Sequence, residues 1–86
     1  MNLIPSNVRD FFVSKKVSYQ RVFIEDNRDV NAVLKDLAKF CRAHDSTFDK
    51  DPRSHAILEG RREVYLRIQK YLKLTPDELW DNYRKD

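Results

Sequence analysis

The stretch Leu58-Glu59-Gly60-Arg61-Arg62-Glu63-Val64-Tyr65-Leu66-Arg67-Ile68 decides how the chain folds. Its Val64 and Ile68, with Ile57 and Leu72 on either side, recur at helical spacing, and Tyr65 lies at their edge. Asp51-Pro52 supplies an N-cap carboxylate and a proline at the first helical position. The pattern therefore predicts a helix from Pro52 to Leu72, the longest in the chain. Two residues in it are out of place. Gly60 is the only glycine in the sequence, and glycine inside a helix is about 1 kcal/mol worse than alanine. Close approach of another backbone or ring would compensate, from a crossing helix, from Trp80 or from a second subunit. Arg61 projects into the middle of the apolar stripe, and a buried guanidinium is tolerated only when paired and hydrogen-bonded. The expectation is a partly buried Arg61 held by the Asp-rich loop before the helix. Asp45 and Asp49 are the first candidate partners and Asp36 the next. Gly60, Arg61, Asp45 and Asp49 together make the expected structural signature. The other reading of Arg61 is an anion- or partner-binding residue at an exposed groove.

Upstream, Val30, Val33, Leu34, Leu37, Phe40 and Cys41 share one face of a second strong helix. Asp29 is placed at its N-cap, and its end is expected near Ala43. Lys35, Lys39 and Arg42 project together on the opposite side. Their functional reading is a phosphate-binding face; a solvated back is the simpler one. His44 to Lys50 reads as a loop from which Phe48 plugs into the core. Downstream, Thr75-Pro76-Asp77-Glu78 is a capping box with proline at the first helical position. It opens a short last helix with Leu79, Trp80 and Tyr83 inward. The N-terminal segment is ambiguous. Val8, Phe11 and Phe12 suit a short helix ending at Ser14-Lys15-Lys16, and Tyr19, Val22 and Phe23 suit another helical turn or two. Residues 1–17 are accordingly an arm or a short helix, and residues 18–86 a single helical domain. The fold class is all-α. It has two main antiparallel helices, a short C-terminal helix and one or two short N-terminal ones.

The bulk properties agree with one small domain. The chain has 86 residues, 41% hydrophobic and 36% charged, and a chain of this size buries a modest core. One glycine and three prolines leave little material for β-turns. A net charge of +3, with mixed signs throughout, is not the concentrated basic stripe of a dedicated DNA-binding domain. The acidic start of the last helix, with Asp77, Glu78 and Asp81, would face phosphates, which argues against a helix-turn-helix groove reader. No apolar run approaches the ~20 residues of a membrane span, and Met1-Asn2-Leu3-Ile4-Pro5 lacks the charged and apolar regions of a signal peptide.

Catalytic and metal chemistry find little support. Cys41 is the single cysteine and lies on an apolar face, so packing is its expected role and no internal disulfide can form. His44, Asp45, Asp49, Asp51 and His55 lie close in sequence without the spacing of a calcium loop or a zinc site. No phosphate loop, catalytic carboxylate pair or nucleophile–base order stands out. The expectation is a non-enzyme with no cofactor and no metal. The best interface composition is Arg62, Tyr65 and Leu66, along one edge of the long helix.

Several segments taken together carry a family resemblance. They are Val33-Leu34-Lys35-Asp36-Leu37-Ala38-Lys39-Phe40-Cys41, Ser46-Thr47-Phe48, Asp51-Pro52, Leu58-Glu59-Gly60-Arg61-Arg62-Glu63-Val64, Arg67-Ile68 and Leu74-Thr75. In this combination the chain resembles a family of small tailed-phage proteins. The family is typified by a podovirus infecting Bordetella, in which the gene lies in the structural and morphogenesis region. The resemblance covers roughly Tyr19 to Tyr83 and leaves the first seventeen residues outside. It implies a phage origin and a virion or assembly role, and it brings no catalytic residue.

The expected function is therefore a non-enzymatic, protein-binding module of the virion or of its assembly. One alternative is a phage-encoded regulator or inhibitor of a host protein. Another is a nucleic-acid-binding accessory protein using Lys35, Lys39 and Arg42. The expected partner is a phage structural protein or a host protein, with homo-oligomerisation open. The expected location is the host cytoplasm during infection, with the virion as a second destination.

Overall fold

In a computed structural model, which describes residues 4–85, the chain is all-helical. α1 spans Ser6–Val22, α2 Arg28–Phe40, α3 Pro52–Lys73 and α4 Pro76–Lys85. The first three residues of the expected arm, and Asp86, lie outside the described residues.

The helix ends follow local chemistry. Asp51 caps α3 through Oδ1, which accepts from the Arg53 N–H at 3.1 Å, and Pro52 follows at the first helical position. Thr75 and Glu78 close the reciprocal box at α4. The Thr75 N–H donates to Glu78 Oε1 at 3.0 Å, and the Glu78 N–H donates to Thr75 Oγ1 at 3.2 Å. The start of α2 differs from expectation. Asn27, not Asp29, is the N-cap, and its Oδ1 accepts from the N–H groups of Asp29 (2.9 Å) and Val30 (3.1 Å). Asp29 lies in the first turn, where its charge still favours the positive end of the helix dipole. The end of α2 also comes earlier. Arg42 takes a left-handed φ of 51°, its N–H reaches Lys39 O, and the Ala43 N–H reaches Ala38 O at 2.9 Å. This is the six-to-one closure that ends a helix, made here without glycine.

The N-terminal segment is one helix of 17 residues in place of an arm or short pieces. Val8, Phe12, Lys16 and Tyr19 fall on a single helical face. The lysine that reads as a solvated stop is used inside the packing. Lys16 Nζ donates to the carbonyls of Tyr71 (3.3 Å) and Leu72 (3.2 Å) in the last turn of α3. Those carbonyls have no partner further along the helix, and a cation there also meets the negative end of its dipole. Next to this contact the rings of Tyr19 and Tyr71 stack at 4.5 Å between centroids. Phe12, only 4% exposed, closes the cluster with Tyr71 and Leu79, and Ile4, Val8, Leu74 and Trp80 pack around it. An exposed ion pair, Arg9 to Asp77 at 2.7 Å, ties α1 to α4 at the rim and adds little, about 0–1 kcal/mol.

α3 is the spine that both ends of the chain use. Its C-terminal part takes α1, and α4 joins that cluster, while its other contact is with α2. Leu34, Ala38 and Cys41 are the buried residues of α2 and its C-cap. The loop between α2 and α3 is tied to α3 through Thr47. Its buried hydroxyl donates to Glu59 Oε1, and its carbonyl accepts from His55 Nδ1 at 3.0 Å. Phe48 does not plug the core. It is 71% exposed, beside the His55 ring, because Thr47, not its neighbour, takes the inward position.

The result is flat and open. The molecule measures 44 × 33 × 16 Å, with a radius of gyration of 15.2 Å, against about 12 Å for a compact chain of this length. Its accessible surface is 6823 Å², where about 5,400 Å² is usual for this mass.

Replacing Lys16 with Met keeps its helix propensity and removes both carbonyl contacts. The expected outcome is a loss of about 1–2 kcal/mol in chemical denaturation, with unchanged helicity by circular dichroism in native buffer. For Glu78, the Thr75 N–H is the first cause holding its carboxyl below the ordinary carboxylate value, the Thr75 hydroxyl contact is the second, and Lys16 adds a weaker pull. A lowered folded-state pKa gives stability that is present above the ordinary value and is lost as pH falls through the lowered one. The gap in Tm between the native chain and Glu78→Ala should therefore be present at pH 7 and narrow as the pH falls below the ordinary glutamate value of about 4.3.

Candidate functional site

Two open grooves flank α3. The first has a volume of about 620 Å³ and lies between α1, α3 and α4. Phe11 and Phe12 of α1, Val64 and Tyr71 of α3, and Leu79 and Tyr83 of α4 form its apolar lining. Lys15, Arg67 and Lys70 bring positive charge to it, and Glu63 is its single carboxylate. Phe11 and Tyr83 are 55% and 67% exposed, so the apolar lining is open to a partner. The local sequence explains this. Phe11 and Phe12 are consecutive on α1 and cannot face the same way; Phe12 enters the core and Phe11 is left at the groove, edge-on to it at 5.3 Å.

The second groove, about 600 Å³, lies between α2 and α3. Leu34 and Ala38 meet Tyr65 and Gln69 along it, and Lys35, Lys39 and His44 stand near Glu25 and Asp45. Of the three residues expected as a nucleic-acid face, two, Lys35 and Lys39, share this groove. Arg42 is not part of its lining and carries the left-handed φ at the end of α2. The lining mixes both signs, so it does not form the single-sign track that follows a phosphate backbone.

The expected interface edge is divided. Tyr65 is half-buried and lines the α2 groove, whereas Leu66 is 39% exposed and lines the groove toward α1 and α4. Consecutive helical residues point away from one another, so no single partner surface includes both on the same groove. Arg62 is half-buried on α3.

The structural signature is also arranged differently. Arg61 is exposed, and its guanidinium lies over the Phe40 ring at 4.6 Å from the centroid. Asp45 and Asp49 do not pair with it, and the one ion pair among the described residues is Arg9–Asp77. Asp49 instead accepts the Asp51 N–H at 2.8 Å and so shapes the entry to α3. The physical reason is coverage. Arg61 is on an exposed part of α3, over Phe40, so its charge stays in water and no carboxylate is required. Gly60 admits no neighbour within the chain, since a Cβ there would meet nothing within 4 Å.

Sequence reasoning placed Ile57 and Val64 in the core, yet they are 56% and 61% exposed. It did not single out Lys15, Arg67, Lys70 or Phe11 as groove residues. Phe11–Phe12 was the available signal, because two adjacent aromatics on one helix require two different environments.

Among the described residues, no three His, Cys, Asp or Glu side chains come together to hold a metal ion, and no helix is long and apolar enough to cross a membrane. An all-helical plate with open apolar grooves is a surface suited to contact with other macromolecules. Its sequence gives the class: this is a phage protein. A family model described as Bbp19-like phage protein matches residues 19–81, from the last turn of α1 into α4, and the chain belongs to that family. Comparisons with curated proteins and with solved structures find no match.

If Arg61 only covers Phe40 at the surface, Arg61→Ala should lower stability by no more than about 0.5–1 kcal/mol. A loss of several kcal/mol in urea denaturation would instead mean that the guanidinium is paired in the folded chain.

Proposed function

We propose that this chain is a non-enzymatic protein-binding module of a podovirus-type phage, acting in the virion or in its assembly. The observation that carries the reading is the groove between α1, α3 and α4. Open aromatic side chains, Phe11 and Tyr83, stand there beside Lys15, Arg67 and Lys70. An apolar groove rimmed by charge is the surface an amphipathic segment of another protein docks into. Family membership supports a phage partner. On this reading the protein is made in the host cytoplasm and carried from there into particles or assembly intermediates.

Mass spectrometry of gradient-purified particles and of assembly intermediates tests it. The expected result is the chain in one or both, at copy numbers in proportion to a structural component. Its absence from all particle fractions, together with co-purification of a host protein from infected lysate, would replace this reading with that of a host-directed regulator.

A further inference from the structure

The first half of the α3 stripe has no cover. Ile57, Gly60 and Val64 recur at i, i+3 and i+7, the spacing of a helix–helix seam. Below them the stripe continues into Tyr71, which α1 and α4 bury. Above Tyr71 it is open: Ile57 and Val64 are more than half exposed, and the space over Gly60 is empty to 4 Å. Arg61 leaves the ridge toward α2 and lies over Phe40, while Glu63 and Arg67 flank it in the groove that Gly60 and Val64 also line. Phe40 on one side and Phe11 on the other, both more than half exposed, extend the apolar strip across the plate.

We propose that this ridge is the seam of a homodimer, in which a second copy of the chain lays its own α3 across it. Three observations favour a helix laid on this ridge, and the second of them favours a copy of the same chain. The accessible surface exceeds that of a compact protein of 10.3 kDa by about 1,400 Å². A stable interface removes about 800 Å² per partner, and obligate dimers remove more, so one such contact would account for half or more of the excess. The ridge is nearly self-complementary. With a two-fold axis between Gly60 and Arg61, Ile57 of one copy meets Val64 of the other, and the reverse contact follows by symmetry. Finally, the helical glycine has no use inside the chain, whereas at such an axis it lets two helix backbones approach closely.

The inference rests on the reading that the exposed apolar surface binds protein, but not on which phage or host protein shares it. The test is sedimentation equilibrium of the full chain from about 1 µM to 1 mM. The weight-average mass should rise from that of one chain toward that of two. Val64→Asp buries an unpaired carboxylate in the seam and should weaken self-association by at least about tenfold. Gly60→Ala should weaken it by a smaller factor while raising the helicity of the monomer. Phe48→Asp, on an exposed aromatic beside His55 and away from the ridge, should leave it unchanged. Circular dichroism of each variant confirms that the helices are retained. A chain that stays monomeric throughout overturns the proposal, as does a dimer that survives Val64→Asp or that Phe48→Asp disrupts. A monomeric chain that is nonetheless present in particles would overturn the homodimer alone and leave the protein-binding function in place.

Discussion

The contact on which the rest depends is the seating of Lys16 on the last turn of α3. Its ammonium satisfies two carbonyls that the helix leaves open, and the Tyr19–Tyr71 stack holds the two backbones together beside it. This contact fixes where α1 lands along α3. Phe12 is then delivered to Tyr71 and Leu79, and α4, launched by the capping box at Thr75, closes over both. With α1 packed on the C-terminal end of α3, Ile57, Gly60, Arg61 and Val64 are left exposed.

That arrangement divides α3 into two working parts. One end is a core element with aromatic packing. The other is a ridge with α2 on one flank, attached through Leu34, Ala38 and the Thr47 bridge to Glu59. A thin plate of this kind buries little and exposes much.

Much of the fold was legible from short-range chemistry. Asp51-Pro52 and Thr75-Pro76-Asp77-Glu78 mark helix starts because a cap is satisfied by residues two or three positions away. The six apolar positions from Val30 to Cys41 mark α2 for a similar reason, since a repeating stripe needs only the helix itself. The site was less legible. Projection puts Arg61 among apolar neighbours, but it cannot say that no helix arrives to bury them. The Asp-rich loop looked like its partner, and Asp49 spends its carboxylate on a backbone N–H instead. Lys15 and Lys16 read as a helix stop because a lysine pair is usually solvated. Nothing near them in sequence shows that a carbonyl-ended helix will come to Lys16 from more than fifty residues away.

By itself, then, the sequence determined the helical class, the caps and the faces, because each is settled by hydrogen bonds and periodicity within a few turns. It also carried the family in the pattern of those segments. The tertiary structure alone decided which faces are covered. Coverage depends on where one helix meets another, and that is set by contacts such as Lys16 with Tyr71, whose partners are distant in the chain. The stretch from Leu58 to Ile68 shows both sides of this. Its helix was evident from its spacing, whereas the exposure of Gly60, Arg61 and Val64 followed only from where α1 and α4 came to rest.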